Sequence, residues 1–115
     1  MAAFLVEGGN QLNGTLEPQG AKNEALQVIC AVLLTHNDVT IENVPEISDV
    51  LKLIDILKGL GVEVERTDKG VFRFNARNVD VSYLKTETYA RQAASLRGSV
   101  MIIGPLLARF GQGFI

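Results

Sequence analysis

The sequence predicts a mixed α+β (α/β) fold, in which helices and strands alternate along one domain of 115 residues. Two stretches carry apolar residues at helical spacing, and shorter stretches alternate apolar and polar residues as half-buried strands do. The turn from Thr67 to Gly70 predicts a hairpin between two of these strands. The predicted order is strand, helix, strand, helix, strand, strand, helix, which is a βαβαββ unit followed by the opening of a second unit.

The first predicted strands lie before residue 20. Phe4 to Val6 and Gln11 to Leu16 predict two edge strands joined by a tight turn. Pro18 and Gly20 end this pattern. Ala21 to Thr35 is the clearest helix, because its apolar residues recur at i, i+3, i+4 and i+7. Two valines widen the apolar stripe, so we expect this helix to be buried on most sides; the stripe consists of Leu26, Val28, Ile29, Cys30, Val32 and Leu33.

A second strand and helix follow this first helix. Val39 to Val44 alternates as a half-buried strand does, and Pro45 closes it. Ser48 is a favourable N-cap, and Asp49 at the first helical position suits the positive end of the helix dipole. The apolar residues from Val50 to Leu60 recur at helical spacing, which predicts a helix with one face on the core.

The hairpin comes next. Gly59 and Gly61 offer C-terminal caps for the preceding helix. Val62 to Arg66 and Val71 to Asn75 then predict the two hairpin strands. The polar stretch from Ala76 to Thr88 has little pattern, so it predicts a loop with one short strand near Val79 to Val81.

The last part of the chain predicts a second helical region. It begins at Tyr89, with Ser95 as an N-cap for the residues from Leu96 onward. Pro105 predicts a kink or a tightly packed bend, and Gly111 predicts the C-terminal cap. Phe114 and Ile115 resemble the first residues of a further strand, so we expect a truncated chain or a fragment.

Composition excludes several classes of protein. Apolar residues make up 47% of the chain and the net charge is -2, which excludes a disordered chain. One cysteine and one histidine exclude an internal disulfide framework and a Cys/His metal cluster. We find neither a bilayer-length apolar run, a secretory signal nor a basic run. We therefore expect a cytoplasmic protein without a membrane or nucleic-acid partner.

A candidate anion site lies where the first helix begins, at Gly20-Ala21-Lys22-Asn23. Backbone N–H groups at a helix N-terminus favour an anion, Lys22 adds a positive charge and Asn23 adds donors. The stretch lacks the glycine spacing of a Walker A loop. The alternative is an ordinary turn with a solvated lysine.

Arg97 and Asp49 are the next candidates. Arg97 lies at the start of a helical stretch, where the dipole disfavours a cation, so an anionic ligand would explain its position. The alternative is a surface arginine paired with an acid. Asp49 is either a favourable helix-start residue or a carboxylate that holds a lysine in position.

Four further residues are weaker candidates. Cys30 lies on the apolar stripe, so we expect a core residue and not a nucleophile. His36 lies in a polar turn, where we expect solvation. We expect Arg91 and Arg109 to be surface or capping residues, Arg109 being favourable near a helix C-terminus.

Four stretches in register resemble the enolpyruvyl transferases, and in particular those that act on UDP-N-acetylglucosamine in peptidoglycan synthesis. The resemblance spans nearly the whole chain. The strongest stretch is Gly104-Pro105-Leu106-Leu107-Ala108-Arg109-Phe110-Gly111-Gln112-Gly113. The others are Gly20-Ala21-Lys22-Asn23 with Ala25-Leu26, Asn43-Val44-Pro45 with Asp49-Val50, and Leu60-Gly61-Val62-Glu63-Val64. The resemblance implies βαβαββ units arranged in two domains, of which residues 21–115 begin the first and residues 1–20 supply strands of the second.

The resemblance also implies a reaction. The 3′-hydroxyl of UDP-N-acetylglucosamine attacks C2 of phosphoenolpyruvate while C3 is protonated, and loss of phosphate gives the enolpyruvyl ether; no cofactor and no metal are expected to be required. It implies that Lys22 and Asn23 contact phosphoenolpyruvate and that Arg97 contacts the UDP-sugar, with Asp49 as possible support. The family's general acid, a Cys or an Asp, lies on a loop shortly after the Phe-Gly-Gln-Gly stretch. No residue of this chain is expected to replace it, so the chain alone is expected to be inactive.

Two other functions stay open. One is a non-catalytic binding or assembly module that kept the fold, and the other is a related enolpyruvyl transferase with another acceptor. We expect the isolated chain to self-associate, because strand edges without partners are templates for pairing.

Overall fold

The computed structural model describes residues 2–113. From residue 22 onward helices and strands alternate, and 3₁₀ helices extend or connect the α-helices. The α-helices and strands are α1 Lys22–Cys30, β1 Asp38–Ile41, α2 Ser48–Gly59, β2 Glu63–Asp68, β3 Val71–Asn75, α3 Glu87–Ala94 and α4 Ile103–Phe110. The 3₁₀ helices span Ala31–Leu34, Val81–Lys85 and Arg97–Ile102. The predicted mixed fold is confirmed.

The sheet is antiparallel, with strand order β1-β3-β2. In its central row, Val39 and Val64 flank Phe74 and turn toward the core. The opposite face is polar, because the strands alternate. The hairpin between β2 and β3 is confirmed, and Gly70 takes a left-handed φ of 70° in its turn.

The core lies between this sheet and the helices. Phe74 and side chains of α1, α2 and α4 are fully buried, including Ile29, Leu53, Leu57 and Leu106. α1 packs against α2 and against the 3₁₀ helix Arg97–Ile102, while α4 packs against Ala31–Leu34. Val28 is 42% exposed, so the expectation that the first helix is buried on most sides is wrong.

The ends of α2 differ in part from expectation. Ser48 is not the N-cap: Ile47 is, and it makes no side-chain capping bond, so Ser48 and Asp49 are the first two helical residues. The C-terminal end follows the glycine prediction. Gly61 has φ 103°, and the N–H groups of Gly61 and Val62 donate to the carbonyls of Lys58 and Leu57 at 3.0 Å each. This is the Schellman arrangement that ends helices at glycine.

The stretch after β3 is helical where a strand was expected. Residues 79–81 form no strand; a 3₁₀ helix begins at Val81, and Asp80 accepts a hydrogen bond from the Ser82 N–H at 3.0 Å. This local bond favours a turn over an extended chain. Ser95 is not an N-cap but the C-cap of α3, whose N-cap is Thr86.

The final helical region has no kink inside an α-helix. Pro105 lies in the first turn of α4, where its missing N–H costs little, and the helix changes from 3₁₀ to α between Ile102 and Ile103. Gly111 ends α4 with φ 70°, as predicted. The strand start expected at Phe114 and Ile115 lies outside the described residues.

The two edge strands predicted before residue 20 are absent. Residues 2–21 form no regular element, and Phe4, Leu5, Val6, Leu12 and Leu16 are each at least 86% exposed. A strand needs a neighbouring backbone to pair with, and in the described part of the chain this segment has none. Among residues 2–113, no helix combines the length and the apolar character needed to cross a membrane.

Candidate functional site

The candidate site is centred on the N-terminus of α1. Its N-cap, Ala21, has an extended backbone, and no described side chain caps the helix. The first helical bond runs from the Ala25 N–H to the Ala21 carbonyl at 2.9 Å. The preceding amides, at residues 22–24, therefore lack helical acceptors and give this end of α1 the partial positive charge that binds anions.

Gly20 sets the approach to this helix end. A Cβ atom at Gly20 would lie 1.9 Å from the Asn43 carbonyl oxygen and 2.9 Å from Cδ of Pro45, so only glycine fits. Asn43 itself has a positive φ of 55°, which non-glycine residues seldom adopt. The loop between β1 and α2 therefore packs directly behind the start of α1.

Lys22 is held by Asp49 of α2. The Lys22 Nζ donates to the Asp49 Oδ2 at 3.2 Å, and the two side chains are 48% and 40% exposed. A pair this exposed contributes less than about 1 kcal/mol to stability. Its consequence is orientation, because the contact with Asp49 limits the positions that the ammonium group can take. The structure thus brings together Asp49 and Lys22, as the supporting role of Asp49 requires.

Arg97 begins the 3₁₀ helix that packs on α1. Buried residues on either side anchor it: Leu96 is 2% exposed, and the Ser99 hydroxyl donates to the Ala93 carbonyl at 3.1 Å. The Arg97 side chain is exposed and forms no ion pair with a described carboxylate. The alternative of a surface arginine paired with an acid is therefore wrong for residues 2–113.

One surface depression joins these groups. It has a volume of about 340 Å³ and is lined by Lys22, Asn23, Leu26, Gln27, Arg97, Val100 and Met101. Two cations, two amide side chains and an apolar wall surround the open end of α1. This combination suits an anionic ligand with an uncharged portion, because the cations bind the charge and the apolar wall contacts the remainder.

The weaker candidates lie elsewhere. Cys30 is 2% exposed, and burial raises the pKa of its thiol to about 12, so it is a core residue as expected. His36 and Arg91 are exposed and do not line the depression. Residues 2–113 hold no group of three acidic, histidine or cysteine side chains that could bind a metal ion.

Arg109 is a capping residue, as expected, but the carbonyls that it caps belong to other elements than its own helix. It is partly buried, and its Nη1 donates to the carbonyls of Leu33, Thr35 and Ala76 at 3.0, 3.2 and 2.7 Å. It therefore caps the 3₁₀ extension of α1 and the end of β3, not its own helix. The signal available in the sequence, a cation near a helix C-terminus, does not tell which helix it caps.

The chain is similar to known proteins along almost its full length. A family model described as EPSP synthase (3-phosphoshikimate 1-carboxyvinyltransferase) matches residues 6–115. The UDP-N-acetylglucosamine 1-carboxyvinyltransferase of Bacteroides fragilis is 50% identical over 115 residues, which are 100% of this chain and 26% of that protein. The protein of the same name from Bradyrhizobium diazoefficiens is 39% identical over 109 residues, 95% of this chain and 24% of that protein.

A solved structure shows the same fold. The crystal structure of the enolpyruvyl transferase NikO from Streptomyces tendae matches with a TM-score of 0.69 at 26% identity. The match covers 90% of this chain and 23% of that one. This chain thus spans about a quarter of the length of the relatives it matches.

Proposed function

Since the chain belongs to the EPSP synthase (3-phosphoshikimate 1-carboxyvinyltransferase) family, we propose that it forms part of an enolpyruvyl transferase. The proposed reaction transfers the enolpyruvyl group of phosphoenolpyruvate to the 3′-hydroxyl of UDP-N-acetylglucosamine, the first committed step of peptidoglycan synthesis. The relatives that are 50% identical over all 115 residues carry the name of this activity. The observation that carries the proposal is the depression in which Lys22, Asn23 and Arg97 meet.

The proposed roles follow from charge and position. Lys22 and Asn23 bind phosphoenolpyruvate, together with the open amides at the start of α1. Asp49 orients the Lys22 ammonium group. Arg97, which lines the same depression from the start of the neighbouring 3₁₀ helix, contacts the UDP-sugar. Both substrates are anions, so two cations in one depression offset the repulsion that opposes bringing them together.

In the proposed reaction, the 3′-hydroxyl gives up its proton to a base as its oxygen forms a bond to C2 of phosphoenolpyruvate, while an acid adds a proton to C3. The tetrahedral adduct then loses phosphate from C2 and a proton from C3, which restores the double bond in the enolpyruvyl ether. The residues of this chain bind and orient the substrates. The general acid belongs to the remainder of the enzyme, and no cofactor or metal is required. Both substrates are metabolites of the cytoplasm, where we place the enzyme.

The domain assignment extends this proposal. Residues 21–115 belong to the first of two domains, and residues 1–20 supply strands to the second. The exposed apolar side chains of residues 2–20 support this, because such residues are ordinarily buried by a partner surface. In the isolated chain we expect them to drive self-association, measured as a concentration-dependent mass in sedimentation. A monomer at all concentrations would contradict that expectation.

A chimera tests the proposed activity. The 115 residues replace the matching residues of the Bacteroides fragilis relative, and phosphate release from phosphoenolpyruvate is measured with UDP-N-acetylglucosamine as acceptor. We expect acceptor-dependent release. Lys22→Ala should lower kcat/KM about 100-fold or more, since it removes a charge that binds the transferring group.

Lys52→Ala is the matched control, because Lys52 is an exposed lysine of α2 that does not line the depression. It should leave kcat/KM within about twofold, as surface substitutions usually do. A folded chimera that releases no phosphate would favour the binding or assembly module. Release with 3-phosphoshikimate but not with UDP-N-acetylglucosamine would show a different acceptor.

A further inference from the structure

A charged cluster ties the loop of residues 42–47, between β1 and α2, to the tip of the β2–β3 hairpin. The Glu46 carboxylate accepts hydrogen bonds from Nε and Nη2 of Arg66 at 2.6 and 3.1 Å, and from the Gly70 N–H at 3.2 Å. The Gly70 carbonyl in turn accepts from the Val44 N–H at 2.9 Å. A two-pronged arginine–carboxylate contact of this kind fixes both side chains in one geometry.

The same loop reaches the candidate site at two points. On one side, the Asn43 carbonyl packs against Gly20, where no side chain fits. On the other side, the loop leads into α2, whose second residue, Asp49, holds the Lys22 ammonium group. The loop therefore supports both the backbone that precedes α1 and the side chain of its first residue.

The backbone conformation of loop 42–47 depends in turn on contacts with its surroundings. Asn43 keeps a left-handed backbone with φ 55°, a conformation that costs free energy and persists only where surrounding contacts impose it. The contacts on its C-terminal side are those of Val44 and Glu46 with the hairpin tip. Loss of the Glu46 carboxylate would free this part of the loop to relax.

From these contacts we infer that Glu46 is a positioning residue for the anion site: by fixing loop 42–47 to the hairpin, it holds Gly20 and Lys22 in place at the start of α1. The inference about substrate rests on the proposed function, whereas the inference about geometry does not. Glu46 does not line the depression and touches no substrate in this scheme.

Amide hydrogen exchange in the 115-residue chain tests the geometric step. Two backbone donors report on it: Val44, which bonds the hairpin tip, and Ala25, which makes the first helical bond of α1. In Glu46→Ala we expect exchange at both amides to accelerate about tenfold relative to Leu60, an amide at the far end of α2. Glu46→Gln, which keeps an acceptor for Gly70, should give a smaller acceleration.

Glu65→Gln is the matched control. It breaks another glutamate–arginine pair on the hairpin, with Arg73, on the sheet face away from the core. The inference would be overturned if Glu46→Ala accelerated amide exchange at Val44 alone and left exchange at Ala25 as it is in this control. Glu46 would then stabilise only the contact with the hairpin.

Kinetics in the chimera test the functional step. Glu46→Ala should raise KM for phosphoenolpyruvate about tenfold and leave KM for UDP-N-acetylglucosamine within about twofold, since Lys22 binds the former. Equal KM values in Glu46→Ala and Glu65→Gln would overturn the role in substrate binding. If the unsubstituted chimera is inactive, the proposed function fails, and the exchange at Ala25 still decides the positioning role.

Discussion

Arg109 joins three backbone segments that are far apart in sequence, and Arg109→Met measures what that connection contributes. Methionine keeps much of the side-chain stem and removes the donors. A hydrogen bond from a charged donor contributes about 1.5–3 kcal/mol. Nη1 lies 2.7–3.2 Å from three carbonyl oxygens but carries two hydrogens, so two bonds are effective at once. The guanidinium also lies 4.7 Å from the ring centre of Phe110, which adds about 0.5–1 kcal/mol.

Partial exposure lowers these contributions, so we expect Arg109→Met to reduce the free energy of unfolding by about 3 kcal/mol. The assay is urea unfolding followed by far-ultraviolet circular dichroism. The dependence of the unfolding free energy on urea concentration is compared between the variants, to exclude a change in the unfolded state. Arg91→Met is the control, because Arg91 is an exposed arginine of α3 whose side chain makes no hydrogen bond or ion pair among the described residues. A loss below about 1 kcal/mol, or one equal to that of the control, would refute the reasoning.

Three further predictions concern other parts of the fold. Gly61→Ala places a Cβ atom 2.4 Å from the Asn78 carbonyl oxygen at a backbone φ of 103°. It should lower the free energy of unfolding in urea by about 2 kcal/mol or more. Gly104→Ala is the control: its Cβ atom meets nothing within 4 Å, so it should be neutral or slightly stabilising. The hydrogen bond from Arg66, above all, lowers the pKa of Glu46, with Lys69 adding to the effect. The wild type should therefore be thermally more stable than Glu46→Gln, and this difference should be fully present above the ordinary glutamate pKa of about 4.3. It should disappear as the pH falls through the lowered pKa of Glu46. A difference in thermal stability that persists in acid would contradict the prediction. Burial and a pKa of about 12 make the Cys30 thiol inert in the folded chain. At pH 8 an aromatic disulfide reagent should therefore react with this thiol at least about 100-fold faster in urea than in buffer. Equal rates would show that the core opens readily.

Periodicity predicted the helices well and the isolated strands poorly. The spacing of Leu53 and Leu57 follows from one buried face, so α2 was predictable to within two residues. The segment from Phe4 to Val6 has strand-like residues, but a strand exists only where another backbone pairs with it. The strand predicted near Val79 to Val81 was wrong for a local reason. The Asp80 carboxylate accepts a hydrogen bond from the Ser82 N–H, and this bond turns the chain.

The sequence pointed to the residues of the candidate site, and it raised one of their connections, Asp49 with a lysine, only as one of two alternatives. Lys22 and Asn23 follow from the chemistry of a helix start, and Arg97 from its unfavourable position at another; the resemblance to enolpyruvyl transferases added the ligand that each would bind. The structure places all three in one depression. The contact between Lys22 and Asp49 spans 27 positions, and the cluster at Glu46 spans 20 or more. No local pattern encodes such distances, because they depend on how the loop and hairpin pack.

During synthesis, β1 cannot pair until the ribosome has made β3. Among residues 2–113, β1 and β2 each pair only with β3, and Asp38 precedes its partner Asn75 by 37 residues. At 5–20 residues per second a ribosome needs about 2–7 s to add that stretch. α1 and α2 are complete before then and can pack on each other, while both edges of β1 still carry unsatisfied backbone groups. The nascent chain is therefore most prone to aggregate in the seconds between the emergence of residue 41 and that of residue 75.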